Sequence, residues 1–273
     1  MKLKDRIGVD TGNILPIEEA IRWAAANDVK YLDVQCDFAP NDQHDVHARA
    51  SAIRALVEET DIHLGLHTVS GVNIAERSPF VADAADEYLR SYIDLQLATG
   101  AEWVIVHAGY HFTGDYEARR VAGLERLKRA ADYAEQKGAL LLLENTNREP
   151  KDAEVQYLAC TIEECLYYFD NLKSDALRFA FTANHAHLYD EGVAGFVDAL
   201  DMVRAKEVRL ADNHGDVEIH LKPGEGNMDF GDMFRRIEAA GFTGHYMNQF
   251  GTLEDMLDAR DWLVDRAREA GVT

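Results

Sequence analysis

Short apolar runs alternate with longer amphipathic stretches along the chain, and the alternation repeats eight times. The runs at 6–11, 31–37, 63–69, 103–108, 139–145, 177–183, 206–212 and 244–249 read as strands buried on both faces. The stretches that follow them, 16–27, 45–60, 83–99, 117–137, 161–172, 192–204, 229–240 and 253–270, read as helices. Within 117–137, apolar or small residues at 121, 124, 127, 131 and 134 make one helical stripe. Positions 85, 89, 92, 93 and 97 do the same within 83–99. Gly100, Gly138, Gly241 and Gly271 stand just past helix ends, where a left-handed cap favours glycine. Thr161 with Glu164 matches a capping box, and Asp229 suits an N-cap. No linker or low-complexity segment interrupts the series. The predicted fold is therefore α/β, a single (β/α)8 TIM barrel domain over 1–273.

The stretch 139–147, Ala-Leu-Leu-Leu-Leu-Glu-Asn-Thr-Asn, anchors the functional reading. A carboxylate at the end of a buried strand is costly unless a cation or strong donors meet it. In a barrel of this kind the C-terminal strand ends form the active-site mouth. Glu144 is therefore expected in a pocket, and the other strand ends should join it. They carry His67, His107, Thr182 with Asn184 and His185, Arg209 with Asp212, and Asn248 with Gln249. The loop after the seventh predicted strand adds Glu218 and His220. One histidine at one strand end is usually structural; several at successive ends make a constellation.

The net charge of −21 excludes some partners. An acidic surface without a basic patch repels nucleic-acid phosphate. Only nine lysines are present and the acidic residues are spread over the helices, a coat suited to a high-salt cytoplasm. No run of about 18 apolar residues exists, so no membrane span is expected, and the N-terminus lacks the apolar core of a signal peptide. A cytoplasmic location follows as an expectation. Cys36, Cys160 and Cys165 lack metal-site spacing and read as packing residues. Nothing in the pattern sets the oligomeric state, so a homo-oligomer stays open.

Several motifs carry a resemblance. His-Thr at 67–68, Val-Ile-Val-His-Ala-Gly at 104–109, Leu-Glu-Asn at 143–145, Asn-His-Ala-His at 184–187, Leu-Ala-Asp-Asn at 210–213 and His-Leu-Lys-Pro-Gly-Glu-Gly at 220–226 occur in that order. Together they resemble the xylose isomerase-like TIM barrels, which include sugar epimerases and isomerases, dehydratases and AP endonucleases. The resemblance covers nearly the whole chain. It implies a central divalent metal held by Glu, Asp, His and Glu from the fifth to eighth strands. The matching positions are Glu144, Thr182, Arg209 and Gln249, of which the first alone keeps its type. A guanidinium beside Glu144 is expected to replace the cation. No cofactor is therefore expected at the central site, whether Mn, Mg or Zn. His67, His107 and Glu144 resemble one metal site of the AP endonucleases, and His185, Glu218 and His220 another. The single-metal sugar enzymes instead imply histidines that contact substrate hydroxyls.

The resemblance implies an isomerase or epimerase acting on a small polyhydroxylated ketone or keto acid through an enediolate. Glu144, His185 and Arg209 are its catalytic candidates, and His67, His107, Thr182, Asp212, His220 and Gln249 its substrate contacts. Glu144 paired with Arg209 is a weak base, which makes His185 the better proton carrier. The alternatives are a non-catalytic barrel that binds a sugar or carboxylate, a subunit beside an active partner, and a dehydratase using the same intermediate.

Overall fold

The computed structural model describes residues 2–272. A closed parallel barrel runs through β1 (Ile7–Asp10), β2 (Tyr31–Gln35), β3 (His63–His67), β4 (Trp103–Val106), β6 (Leu141–Glu144), β8 (Leu177–Thr182), β9 (Ala205–Leu210) and β10 (His245–Asn248), which pairs back to β1. Each falls within or next to a predicted apolar run. Around the barrel lie α1 (Ile17–Ala26), α2 (Gln43–Thr60), α3 (Pro79–Thr99), α4 (Tyr116–Lys137), α5 (Ile162–Asn171), α7 (Gly192–Ala199), α8 (Phe230–Ala239) and α9 (Leu253–Glu269). No helix is long and apolar enough to cross a membrane, among the described residues.

Three features depart from the sequence reading. β5 (Tyr110–Phe112) and β7 (Val155–Tyr157) form an antiparallel ribbon above the barrel, between the loops that follow β4 and β6. A short helix, α6 (Ala183–His187), leaves β8 directly and carries the Asn-His-Ala-His motif. The helix expected over 192–204 ends at Ala199, where the chain turns through Asp201, whose Oδ1 accepts from Val203 N–H at 3.1 Å. The caps behave as their chemistry requires. Asp229 accepts from Asp232 N–H, and Thr252 with Asp255 closes a full capping box on α9. Thr161 accepts from Glu164 N–H, but the Glu164 carboxylate turns to the Cys160 N–H and thiol instead of completing a box.

Strand residues two apart share a face, so the barrel interior can be read from the sequence. Trp103 and Ile105 of β4, Leu142 of β6, Ala180 of β8 and Met247 of β10 pack together inside as an apolar cluster. Their neighbours along the strands, such as Val104, Leu141 and Leu143, pack outward against the helices. The other half of the interior is charged: Asp10 of β1, Asp33 of β2, and Glu207 and Arg209 of β9 are all buried. This departs from the branched apolar filling usual in such barrels. Gly65 makes the arrangement possible. A Cβ there would lie 2.1 Å from Trp103 Nε1 and 2.2 Å from Asp33 Oδ1, so only glycine leaves room for the indole to donate to Asp33 at 3.1 Å.

Candidate metal centre

Three strand ends converge at the barrel mouth. His67 closes β3, His107 follows β4, and Glu144 closes β6 on the inward face set by Leu142. All three are buried. His67 Nε2 lies 3.4 Å from His107 Nε2 and 3.4 Å from Glu144 Oε2, and His107 Nε2 lies 3.1 Å from the same oxygen. A tetrahedral zinc-like ion with bonds of about 2.0–2.1 Å spaces its ligands roughly 3.3–3.4 Å apart. The donor set fits such an ion in both chemistry and spacing.

The orientation of the rings strengthens the fit. Metal-binding histidines usually give their second ring nitrogen to a fixed outer partner. His67 Nδ1 faces Asp10 Oδ2 at 3.3 Å, and His107 Nδ1 faces the Thr68 hydroxyl at 3.2 Å. A second group stands beside the first. His185 Nδ1 is tied to the Asn145 carbonyl at 2.8 Å and His220 Nδ1 to the Gln249 carbonyl at 2.7 Å. Their Nε2 atoms turn to Glu218 Oε1, at 3.3 and 2.7 Å. The donors of His185, Glu218 and His220 lie within 4.8 Å of one another, close enough to hold an ion. Glu144 touches both groups, because its Oε1 lies 3.7 Å from His185 Nδ1 while Oε2 faces the first pair.

Electrostatics follow from burial and neighbours. Burial alone would raise the Glu144 carboxyl, but hydrogen bonds from His107 and His67 and the Arg209 charge hold it well below the usual carboxylate range. Burial and Arg209 push His67 down, yet its bonds to Asp10 and Glu144 prevail and hold it up at about 9. His107, with a neutral outer partner, is lowered by burial. For His185, burial pushes down but the Glu218 bond and charge prevail and raise it. Burial pushes Glu218 up, and the two histidines bring it down to about 2.

Arg209 is fully buried beneath this site. It approaches Glu144 only at 3.8 Å, through Nε. Its fork goes elsewhere: Nη1 donates to Asp33 at 2.7 Å and to Glu207 at 2.5 Å, and Nη2 to Asp10. Nε also reaches the Gln249 amide oxygen at 3.3 Å. The guanidinium is therefore matched by the interior carboxylates. Asp33, raised by burial and by Glu207, is held up at about 8, so it is largely protonated at neutral pH.

The cavity over the centre, about 190 Å³, is lined by His67, His107, Glu144, His185, Glu218, His220 and Gln249, with Gln35, Thr68 and Asn147 among the rest. Arg209 lies below it. Thr182 is also fully buried and donates to Glu144 Oε1 at 2.5 Å. Asp212 is buried and turned away, accepting from the N–H groups of Gly224, Gly226 and Met228 at 2.9, 3.0 and 3.1 Å. Sequence reasoning missed Asp10, Asp33 and Glu207. The signal was present in the strand parity, since Glu207 precedes Arg209 by two residues and so shares its face.

With the geometry in view, the model of the xylose isomerase-like TIM barrel matches residues 21–268. The chain belongs to that family. Two uncharacterized proteins of Methanocaldococcus jannaschii are similar in sequence. MJ1311 is 25% identical over 216 residues, covering 77% of this chain and 72% of its own length. MJ1614 is 20% identical over 276 residues, covering 97% and 98%. Among solved structures, a D-tagatose 3-epimerase-like protein matches at TM-score 0.80 and 20% identity, covering 97% of this chain and 98% of its own. The 3-keto-D-glucoside 4-epimerase YcjR of E. coli matches at 0.77 and 15%, covering 94% and 98%. D-psicose 3-epimerase of Clostridium cellulolyticum H10 matches at 0.76 and 13%, covering 98% and 100%. At these identities the structural matches speak for the fold.

One expectation is overturned. The sequence reading took Thr182, Arg209 and Gln249 as evidence that the metal had been replaced and that no cofactor should be expected. The buried group of His67, His107 and Glu144 is a metal-capable set, which points to a metal site retained, not replaced. The physical reason lies in the two faces of Glu144. Thr182 and Arg209 approach Oε1, whereas Oε2 is left to the two imidazoles. The Arg209 fork is taken up by Asp10, Asp33 and Glu207 and so is turned away from Oε2.

Proposed function

We propose that this chain is a divalent-metal-dependent sugar epimerase or isomerase whose ion is held by His67, His107 and Glu144. The observation that supports this most directly is the convergence of two imidazole Nε2 atoms and one carboxylate oxygen, 3.1–3.4 Å apart, in a buried mouth. A divalent ion bound there would polarise a carbonyl or hydroxyl oxygen of a small sugar. The cavity of about 190 Å³ is smaller than the ~300 Å³ at which drug-sized pockets begin. It suits a compact molecule of the kind named in the similar structures, where tagatose, psicose and a keto-glucoside appear.

Epimerisation removes a proton from one face of a carbon and returns one to the other. We assign the transfer on one face to His185, and the transfer on the opposite face to solvent water at the cavity mouth. The Asn145 carbonyl fixes its Nδ1, which leaves Nε2, paired with Glu218 at 3.3 Å, to exchange the proton. Glu144 is a poor base, because its charge is held by two histidines and Arg209. His220 and Gln249, both on the cavity wall, are assigned to substrate hydroxyls.

A second reading is favoured by the His185, Glu218 and His220 set, whose donors are also metal-competent. If that set takes an ion too, His185 is a ligand and the proton falls to another group.

The test is metal analysis of the purified chain, followed by incubation with manganese and free ketohexoses in heavy water. The expected result is one ion per chain, with deuterium entering the carbon beside the carbonyl. His107→Ala should lose both ion and exchange; His185→Gln should keep the ion and lose exchange. Two ions per chain, with one lost in His185→Gln, would favour the second reading. No stoichiometric binding of manganese, zinc or cobalt would sink the proposal.

A further inference from the structure

The side of His67 facing away from the mouth carries an arrangement that the proposed function does not use. Asp10 is held from two directions: Oδ1 accepts from Gly12 N–H at 2.7 Å, and Oδ2 accepts from Arg209 Nη2. The same Oδ2 faces His67 Nδ1 at 3.3 Å. Arg209 is itself immobilised. Its Nη1 bonds Asp33 and Glu207, and each of those carboxylates has a further buried partner, Trp103 Nε1 at 3.1 Å and His245 Nε2 at 2.9 Å. His245 is stacked on Tyr31, with ring centroids 4.3 Å apart, and packs against Trp103 at 4.5 Å. A chain of fixed contacts thus runs from the barrel interior to one ring nitrogen.

An imidazole offers a metal only the nitrogen that carries no proton. Asp10, as an ionised acceptor, favours the proton on Nδ1 and leaves the Nε2 lone pair toward His107 and Glu144. Arg209 keeps the Asp10 carboxylate from turning away. We infer that Asp10 and Arg209 are positioning residues of the metal centre, fixing the tautomer and tilt of His67 through a buried guanidinium–carboxylate–imidazole relay. The inference rests on the metal-centre reading above. Among the described residues His107 has no charged counterpart, since its Nδ1 meets the Thr68 hydroxyl. The centre is therefore asymmetric, with one ligand backed by a charge and the other by a neutral group.

Arg209 also lies 3.2 Å from His67 Nδ1. That contact allows the opposite arrangement, in which Arg209 donates to Nδ1 and the proton moves to Nε2. A tautomer measurement separates the two.

The experiment uses the full-length chain with zinc. Calorimetry compares wild type, Asp10→Asn, Asp10→Glu and Thr68→Ala, and nitrogen-15 spectra of labelled histidine report the His67 tautomer with and without zinc. Loss of an outer partner usually weakens metal binding about 10–100-fold. Asp10→Asn should fall in that range with its fold kept, Thr68→Ala should lose less, and Asp10→Glu should restore part of the affinity. Once the ring is neutral, at alkaline pH, metal-free His67 should carry its single proton on Nδ1 in the wild type, and that signature should change in Asp10→Asn. Wild-type zinc affinity in Asp10→Asn, or a single proton on Nε2 of the neutral ring in the metal-free wild type, would overturn the relay. If the wild type binds no zinc, the metal reading fails by itself, and the alkaline spectra of the metal-free chain still decide where the single His67 proton sits. Arg209→Lys keeps the charge but not the fork, so it should weaken zinc binding and broaden the His67 signals; unchanged binding and signals would remove Arg209 from the relay.

Discussion

His67 and His107 face each other through their Nε2 atoms at 3.4 Å, with Glu144 Oε2 completing the triangle. Two imidazole lone pairs at that distance repel unless a proton or a cation lies between them. In the metal-free chain His67 supplies the proton, being held up at about 9 by Asp10 and Glu144 against burial and Arg209.

Binding of a cation must therefore displace that proton. Between pH 7 and about 9, metal affinity should rise close to tenfold per pH unit, and it should level off above the His67 value. Competition titrations with a chelator across this range would measure the slope. A flat profile would mean that His67 is already neutral without metal.

The buried carboxylates predict how stability depends on pH. Asp33 is raised from 3.8 to about 8 by burial and by Glu207, so the folded chain binds a proton that the unfolded chain has released. Its contribution is fully present below 3.8 and is lost as pH climbs through about 8. His67, raised from 6.5 to about 9, acts in the same direction above 6.5. Urea unfolding of the metal-free chain should thus show stability falling from pH 6.5 to 8, and Asp33→Asn should flatten that fall. Rising stability across the window would contradict the interior charge pattern.

Asp212 ties down the loop after β9 through three backbone N–H groups. Hydrogen bonds to a charged acceptor are worth about 1.5–3 kcal/mol each, though bonds sharing one carboxylate do not add fully. Asp212→Ala should lower stability by roughly 3 kcal/mol and expose the 222–228 segment to proteases. Unaltered proteolysis there would show that the loop is held by other contacts.

Surface charge makes a separate prediction. With a net charge of −21, the folded chain repels itself at low ionic strength. Molar potassium chloride shortens the screening length to about 3 Å. The melting temperature should rise by several degrees between low salt and molar potassium chloride; a flat or falling trend would remove the high-salt reading of the acidic coat.

The barrel strands were legible because each is a short apolar run with helical punctuation on either side. The ribbon of β5 and β7 was not, because its residues are partly exposed and carry no burial pattern that sequence alone can score. The strand-end histidines and Glu144 could be placed at the mouth from their position in each unit. Which ring nitrogen faced which oxygen could not. That depends on contacts between units remote in sequence, such as Asp10 with Arg209, 199 residues apart. The sequence sets Arg209 against Glu144 because both sit at strand ends. The partner that decides its direction, Glu207, lies two residues away in the same strand.

The shared position of Glu144 has a consequence for how the two ligand groups behave together. Its Oε2 serves His67 and His107, and its Oε1 lies 3.7 Å from His185. A cation, proton or substrate that draws on one oxygen changes what the other can offer. Such coupling is reciprocal: whatever factor loading of the inner group imposes on the affinity of the outer group, the outer group returns in equal measure. Where both groups take an occupant, the mouth of this barrel is a pair of linked equilibria, in which occupancy on one side sets the appetite of the other.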